Sequence, residues 1–261
     1  MKLDIYQVDA FTKKVFGGNP AAVCPLVEWL SDEMMQKIAA ENNLAETAFF
    51  VKKNDVYEIR WFTPTVEVNL CGHATLASAF VIFNHLGETA NDIKLHSRRS
   101  GILGVERADD KLVLDFPTYP VREIEPISTL ATAEFSPQSF WEAGNNKLML
   151  VMESQTIVAE LKSDMRKFSD LSYDGVIVTA KGDDCDFALR FFAPLMGIPE
   201  DPVTGGVQCS LIPYWAEKLG KTELFARQVS ARGGELFCEL KGDRVKIGGN
   251  AVLYLKGEIY I

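Results

Sequence analysis

The chain has no basic run, no long apolar run and no signal-peptide core in its first residues, and each absence excludes a class of protein. Its 261 residues carry 27 Lys and Arg against 36 Asp and Glu, a net charge of −9. That balance argues against a nucleic-acid surface, which works by neutralising phosphates. No apolar run reaches the roughly 18 residues that a membrane span needs. We therefore expect a cytoplasmic protein that acts on a small molecule and binds neither nucleic acid nor a membrane.

Cysteines are few, odd in number and scattered, without the paired spacing of a metal site. We interpret them as reduced thiols and expect no metal. They are Cys24, Cys71, Cys185, Cys209 and Cys238.

Low-complexity sequence and a strict alternation of strands and helices are also absent, which argues against a doubly wound parallel sheet. Short β-rich segments separated by tight turns predict strands near 2–8, 21–24, 46–51, 56–62, 92–97, 102–107, 111–116, 147–153, 175–180, 185–192, 227–240, 243–249 and 252–261. Apolar periodicity predicts helices at 32–43, 74–86, near 159–169 and at 207–219. Ser31 is the predicted N-cap of the first helix, and a turn is predicted at 256–257.

One stretch of the chain occurs twice, about half the chain length apart. Residues 60–64 (RWFTP) recur as residues 190–194 (RFFAP), and each copy runs through a loop and a glycine turn into an apolar segment. A helix that is apolar nearly all round is buried on every side. We therefore predict an α+β fold of two similar domains, each an antiparallel β-barrel-like roll closed around one buried helix.

The predicted domains span residues 1–117 and 118–261, and the last strand is a candidate to cross back to the first domain. Prolines and several acids between 117 and 126 suggest a linker between the two halves.

The two glycine turns, residues 71–73 (CGH) and 204–206 (TGG), are candidates for a ligand site. Helix starts present unpaired amides and a positive dipole end, and glycine lets a ligand approach the backbone. If both starts face a cleft between the domains, they would bind a carboxylate. The structural alternative is that these glycines only permit a tight turn from strand to helix.

Three polar residues near these segments are candidates for chemistry, each with a structural alternative. His73 can exchange protons near neutrality, although a histidine at such a turn is more often a cap or a core residue. Asp201 lies at the equivalent place in the second half, where an Asp before Pro usually forms a turn. Glu46 joins a capped helix to an apolar strand, where desolvation would raise its pKa and suit it to proton transfer; the alternative is a solvated surface charge.

Six segments resemble, in order, the motifs of the PhzF-like family of phenazine-biosynthesis-like proteins, and together they cover essentially the whole chain. They are 18–23 (GNPAAV), 43–49 (NLAETAF), 60–64 (RWFTP), 71–75 (CGHAT), 200–205 (EDPVTG) and 228–234 (QVSARGG). The resemblance implies the fold shared with diaminopimelate epimerase, an active site in the cleft between two similar domains, and a homodimer. It also implies a cofactor-independent isomerase, since the family's characterised member isomerises trans-2,3-dihydro-3-hydroxyanthranilate without a cofactor.

Carried over by motif, Glu46 looks like the general acid/base that moves a proton between two substrate carbons. His73 and Asp201 look like flanking residues that bind the substrate and assist that transfer. Backbone amides around the substrate carboxylate would come from the turn residues Gly72, His73, Gly205 and Gly206.

The chain departs from the family pattern beside the inferred site. Gly206 stands where the family commonly has Ser, Val207 and Gln208 replace a frequent Ala-His, and Ala45 replaces a frequent Ser before the glutamate. Because of these changes, the motifs do not identify the substrate. We expect it to be a small carboxylate that is cyclic or derived from an amino acid.

Two rival functions remain. The first is an amino-acid epimerase or racemase in the same cleft that uses Glu46 with Cys71. A two-thiol mechanism is not expected, because the second thiol position holds Thr204, whose hydroxyl is a far weaker acid than a thiol. The second rival is a ligand-binding protein without catalytic activity (catalytically silent). The absence of a hydroxyl at Gly206 is the observation that supports this alternative.

Overall fold

The computed structural model describes residues 1–131, 136–162 and 168–261. It divides into two compact units, Met1–Phe116 with Ile247–Ile261 (unit 1) and Pro117–Lys246 (unit 2). The domain bounds 1–117 and 118–261 stay a prediction, and the units differ from them in grouping residues 247–261 with the first part of the chain.

In the described part of the chain, the α-helices with six or more described residues are α1 (Asp32–Asn42), α2 (Gly72–His85), α3 (Gln155–Glu160) and α4 (Gln208–Leu219), and Pro194–Met196 forms a 3-10 turn. The strands there are β1 (Lys2–Ala10), β2 (Asn19–Leu26), β3 (Glu46–Lys53), β4 (Val56–Phe62), β5 (Glu67–Val68), β6 (Asp92–Ser97), β7 (Gly101–Ala108), β8 (Lys111–Pro117), β9 (Val121–Ile124), β10 (Ser139–Ala143), β11 (Lys147–Val151), β12 (Gly175–Lys181), β13 (Phe187–Ala193), β14 (Ile198–Asp201), β15 (Glu223–Gln228), β16 (Gly234–Lys241), β17 (Arg244–Gly249) and β18 (Ala251–Tyr260).

In unit 1 the strands lie in the order β18-β1-β2-β3-β4-β6-β7-β8, with the short β5 beside β4. Most of these pairs are antiparallel, as predicted, but β2–β3 and β4–β6 are parallel. Parallel neighbours need a crossover connection, commonly a helix, and α1 and α2 supply it. Both parallel pairs therefore follow from the position of a helix between their strands.

Unit 2 repeats this arrangement with the order β9-β10-β11-β12-β13-β15-β16 and β14 beside β13. Its parallel pairs are β11–β12 and β13–β15, and their crossovers contain α3 and α4. The duplication predicted from the sequence thus extends to the strand order and to the position of each parallel pair.

Each sheet has a helix on either face. In unit 1, α1 packs on one face through Met35 and Ile38, against Phe49 and Val51 of β3. Successive strand residues point to opposite faces, so Glu46 and Ala48 point to the other face, toward α2. Nearly all of α2 is buried, from Gly72 to Phe83 with one residue partly exposed, which confirms the predicted helix without a polar face.

An arginine in each copy of the duplicated stretch makes the same contact. Nε and Nη2 of Arg60 on β4 donate to both oxygens of Glu67 at 2.7 and 2.9 Å. The same atoms of Arg190 on β13 donate to Glu200 at 2.7 and 2.8 Å. Glu67 lies on the short strand β5 and Glu200 on the short strand β14, and each of these strands leads to a glycine turn. Each bidentate pair therefore anchors its short strand to the neighbouring strand of the sheet.

Several predicted elements differ from the structure. The linker at 117–126 contains β9, and the single strand at 227–240 is two strands, because residues between β15 and β16 form a turn with Gly233 at φ +65°. The turn at 256–257 lies inside β18, and β10 has no predicted counterpart. Of the helix predicted near 159–169, α3, capped by Ser154, reaches Glu160 and residues 168–169 are helical, while residues 163–167 lie outside the described part of the chain. The Ser31 cap is confirmed, since its hydroxyl accepts the Met34 amide at 3.2 Å.

The Arg60–Glu67 pair provides a test of this anchoring. We expect Glu67→Ala to lower the free energy of unfolding by about 3 kcal/mol, because it leaves the guanidinium of Arg60 without its bidentate partner in a buried position; the Arg60 side chain is 3% exposed. Equilibrium denaturation in urea measures the change. The matched control is Glu33→Ala, which removes an exposed ion pair with Lys37 and should change little. Equal effects of the two substitutions would contradict the anchoring role.

Candidate active site

Glu46 is the first residue of β3 and is 8% exposed. The chain reaches it from α1 through Asn43, a left-handed C-cap at φ 49°. The Asn42 amide donates to the hydroxyl of Thr47 at 3.1 Å, and Glu46 itself stands in register with Ala21 of the parallel strand β2. These contacts fix the connection between α1 and β3, so the carboxylate is held on the α2 side of the sheet.

His73 is the second residue of α2 and is 2% exposed. Its Nε2 lies 3.2 Å from Oε2 of Glu46. Its other ring nitrogen, Nδ1, lies 3.0 Å from Nδ2 of Asn19 and 3.5 Å from Sγ of Cys71. The structure therefore brings two of the three predicted catalytic residues into direct contact.

Burial decides the charge of this histidine. Removal from water disfavours the imidazolium and lowers the pKa of His73 from 6.5 to about 3. At neutral pH the ring is uncharged, so it does not act on Glu46 as a cation.

Asp201, at the end of β14 in unit 2, is also buried. Its Oδ2 accepts a hydrogen bond from the hydroxyl of Thr204 at 2.5 Å. Gln228 closes the same turn: its Nε2 donates to the Asp201 carbonyl at 2.6 Å, and its Oε1 accepts the Thr204 amide at 2.8 Å. Asp201 is thus oriented within its own unit, and the hydroxyl of Thr204 is already engaged.

The two glycine turns differ in where their glycines lie relative to the helix that follows. Gly72 is buried as the first residue of α2, whereas Gly205 and Gly206 precede α4, which begins at Gln208. A Cβ added at Gly206 would meet no heavy atom within 4 Å. A larger residue therefore fits at Gly206 without displacing the protein, so the glycine is not required by packing.

The duplication is broken at the position of the glutamate. Ala48 pairs with Trp61 in unit 1, and Ile177 pairs with Phe191 in unit 2, so the residue equivalent to Glu46 is Gly175. A Cβ at Gly175 would lie 2.4 Å from the Phe191 ring, which leaves no room for a side chain. Only unit 1 carries the carboxylate.

Glu46, Cys71 and His73 offer ligand atoms that all lie within 4.8 Å of one another, and all three are residue types that bind zinc. However, the thiol faces Nδ1 of the ring while the carboxylate faces Nε2. The two groups therefore approach different nitrogens of the ring, and the absence of a metal stays a prediction.

A model of the family described as phenazine biosynthesis-like protein matches residues 8–257. The chain belongs to this phenazine biosynthesis-like family. It is 50% identical over 259 residues to an uncharacterized isomerase of Pseudomonas aeruginosa, with 99% of each chain covered. It is 44% identical to a phenazine biosynthesis protein of the PhzF family from Enterococcus faecalis, whose crystal structure superposes with a TM-score of 0.94 over 100% of both chains.

Similarity of fold extends further. A probable proline racemase from Agrobacterium radiobacter matches with a TM-score of 0.70 at 10% identity, covering 99% of this chain and 92% of that chain; this likeness shows the fold alone. The comparisons confirm the resemblance to the phenazine biosynthesis-like family, the α+β diaminopimelate epimerase-like fold, and the expectation that the protein is an isomerase. Among the described residues, no helix is long and apolar enough to cross a bilayer.

Two residues of this family member were missed as functional candidates. Asn19 and Gln228 were noted only as parts of the motifs at 18–23 and 228–234, yet they contact His73 and Asp201. A polar side chain inside a strand next to apolar residues is the signal that marks both, since such a side chain needs a buried partner.

The pH dependence of folding tests the buried state of His73. Burial holds the folded pKa below the unfolded one, so stability is full above about pH 6.5 and is lost as the pH falls toward 3. This histidine alone should cost the protein about 2 kcal/mol of unfolding free energy between pH 7 and pH 5. Denaturant unfolding of wild type and His73→Gln at both values measures the effect.

The control is His96→Gln, at an exposed position of β6, which should leave the pH dependence unchanged. If His73→Gln retained the wild-type loss between pH 7 and pH 5, the histidine would not be held neutral by burial.

Proposed function

We propose that this isomerase acts without a cofactor on a small carboxylate that is cyclic or derived from an amino acid, and that Glu46 carries a proton from one substrate carbon to another. The observation that carries the proposal is the buried carboxylate of Glu46, 3.2 Å from a neutral His73. A carboxylate in that setting is shielded from bulk water and next to a group that stabilises it without neutralising it.

The reaction needs no other reagent. The ionised Glu46 takes a proton from a substrate carbon, and the electron pair of the broken C–H bond is delocalised into the substrate's conjugated system. The resulting carboxylic acid then returns the proton to a different carbon, which restores the carboxylate. Because the product differs from the substrate only in the position of a hydrogen and a double bond, the reaction is an isomerisation.

The other predicted site residues receive binding roles in this proposal. The amides of Gly72 and His73 lie at the positive end of α2, where a substrate carboxylate is favoured. In unit 2 we assign Asp201 to a polar group of the substrate, since its orientation by Thr204 fixes where the carboxylate points. Gly205 and Gly206 are assigned to substrate contact through their backbone.

The racemase rival is less well supported. Thr204, at the position of a second thiol, donates its hydroxyl hydrogen to Asp201, so it does not offer a free base. Cys71 lies 3.5 Å from Nδ1 of His73, whereas Glu46 lies beside Nε2. A homodimer and a cytoplasmic location remain predictions from the sequence.

Replacing Glu46 tests the proton transfer. Glu46→Gln keeps the shape of the side chain but removes its basicity, so we expect ligand binding to persist while solvent deuterium no longer enters the substrate. A panel of cyclic and amino-acid-derived carboxylates in deuterium oxide, followed by mass spectrometry, measures the uptake.

Two variants serve as controls. Glu41→Gln changes an exposed glutamate of α1 and should leave uptake unchanged. Cys71→Ala should also retain uptake, whereas its loss would favour the racemase rival. Undiminished deuterium uptake by Glu46→Gln would rule out the proposed role of this residue.

Gly206 tests whether the second glycine turn contacts the substrate. Gly206→Ser should fold with an unchanged unfolding midpoint, because the added Cβ meets open space. It should change kcat/KM by about tenfold for at least one carboxylate of the panel, the scale of one hydrogen bond to a charged group.

The matched control is Gly175→Ser in the same unit, whose Cβ would lie 2.4 Å from the Phe191 ring and should lower stability by about 1–3 kcal/mol. An identical substrate ranking for wild type and Gly206→Ser would argue that Gly206 lies away from the substrate.

A further inference from the structure

Asn19 is a buried polar residue that the proposed proton transfer does not use. It is 0% exposed, begins β2 and pairs with Ala10 of β1. The preceding Gly18 has φ +61°, and a Cβ there would lie 2.1 Å from the Ala10 carbonyl oxygen. The backbone is therefore fixed just before Asn19, and the amide side chain is held at one place.

The Asn19 amide lies against the ring of His73. Nδ2 of Asn19 lies 3.0 Å from Nδ1 of His73, and Sγ of Cys71 lies 3.5 Å from the same nitrogen. An amide NH2 group is only a donor, so Nδ1 is the acceptor in its contact with Asn19. An uncharged imidazole carries one ring hydrogen, which must then sit on Nε2, 3.2 Å from the carboxylate oxygen of Glu46.

We propose that Asn19 is a positioning residue that holds the neutral His73 ring in the tautomer with its hydrogen on Nε2, so that the N–H group faces the Glu46 carboxylate. Asn19 acts through the histidine and does not itself touch the substrate. Only the consequence for the reaction rate rests on the proposed function of Glu46. The tautomer itself is a property of the resting protein.

The opposite tautomer would work against an ionised Glu46. With the hydrogen on Nδ1, the Nε2 lone pair would face a carboxylate oxygen at 3.2 Å, and two acceptors would oppose each other in a buried site. The carboxyl would then favour its protonated form, which cannot accept a proton from the substrate. With the hydrogen on Nε2, the positive end of the N–H dipole faces the carboxylate and favours its ionised form, which can accept a proton.

Nuclear magnetic resonance measures the tautomer directly. Long-range ¹⁵N–¹H correlation spectra distinguish Nε2–H, Nδ1–H and doubly protonated rings. The chain has 3 histidines, so the signal that disappears in His73→Gln belongs to His73. We expect wild type to show an unprotonated Nδ1 and a protonated Nε2 at neutral pH. A wild-type ring with its hydrogen on Nδ1, or an equal mixture of tautomers, would overturn the proposal without any variant of Asn19.

Asn19→Asp tests the cause. Aspartate has nearly the same shape but presents only acceptor oxygens to Nδ1, so the ring should change to the Nδ1–H or the doubly protonated form. The matched control is Asn84→Asp on the exposed face of α2, which should leave the His73 signal as in wild type. An unchanged His73 tautomer in folded Asn19→Asp would show that Asn19 does not select it.

Solvent-deuterium uptake separates this proposal from the proposed function. Asn19→Asp should slow uptake by about 10- to 100-fold, the range found when the partner that orients a functional histidine is lost, and should shift the pH profile of the rate. If Glu46→Gln retains uptake while the wild-type tautomer is as expected, the proposed function fails and the positioning role of Asn19 stands. If Glu46→Gln abolishes uptake while the tautomer is the opposite one, the positioning role fails and the proposed function stands.

Discussion

The absence of a polar face on α2 is the constraint on which the rest of unit 1 depends. A helix that is apolar nearly all round loses stabilisation wherever it meets water, so the sheet must curl around it. Enclosure requires the chain to cross from β4 to a parallel neighbour, and the helix start then lies inside the roll. His73, two residues after Cys71, is buried as a direct result. The same enclosure around α4 explains why unit 2 repeats the strand order.

Burial is also what gives the candidate site its chemistry. A histidine in water is partly charged near neutrality, whereas His73 is held neutral by desolvation. Its Nε2 lies 3.2 Å from the Glu46 carboxylate, so the ring tautomer decides whether a hydrogen or a lone pair faces that carboxylate. In our proposal Asn19 selects the tautomer from the far side of the ring. A structural property, the closed sheet, thus determines a protonation state, and the protonation state determines which partner can act as a base.

Much of the fold was predictable because its signals are local. Residue order alone predicts the half-length repeat, the apolar helices that end near residues 86 and 219, and the cap at Ser31. The parallel pairs were not predicted, since strand direction depends on which strands become neighbours after a crossover. The strand break between β15 and β16 was missed, although the glycine pair at 233–234 is a local turn signal. β10, a strand of five residues, was missed although it forms a tight hairpin with β11 in which Ala143 pairs with Lys147.

For the site, the sequence by itself determined which residue types are present and where the family's motifs fall, including Glu46, His73 and Asp201. It also determined that the two halves differ, since one glycine turn contains a histidine and the other does not. Only the tertiary structure decided that Glu46 meets His73, that Gly175 leaves no second carboxylate, and that Asn19 reaches the ring. The physical reason is that these contacts join β2, β3 and α2, whose relative positions depend on closure of the sheet and not on any local pattern.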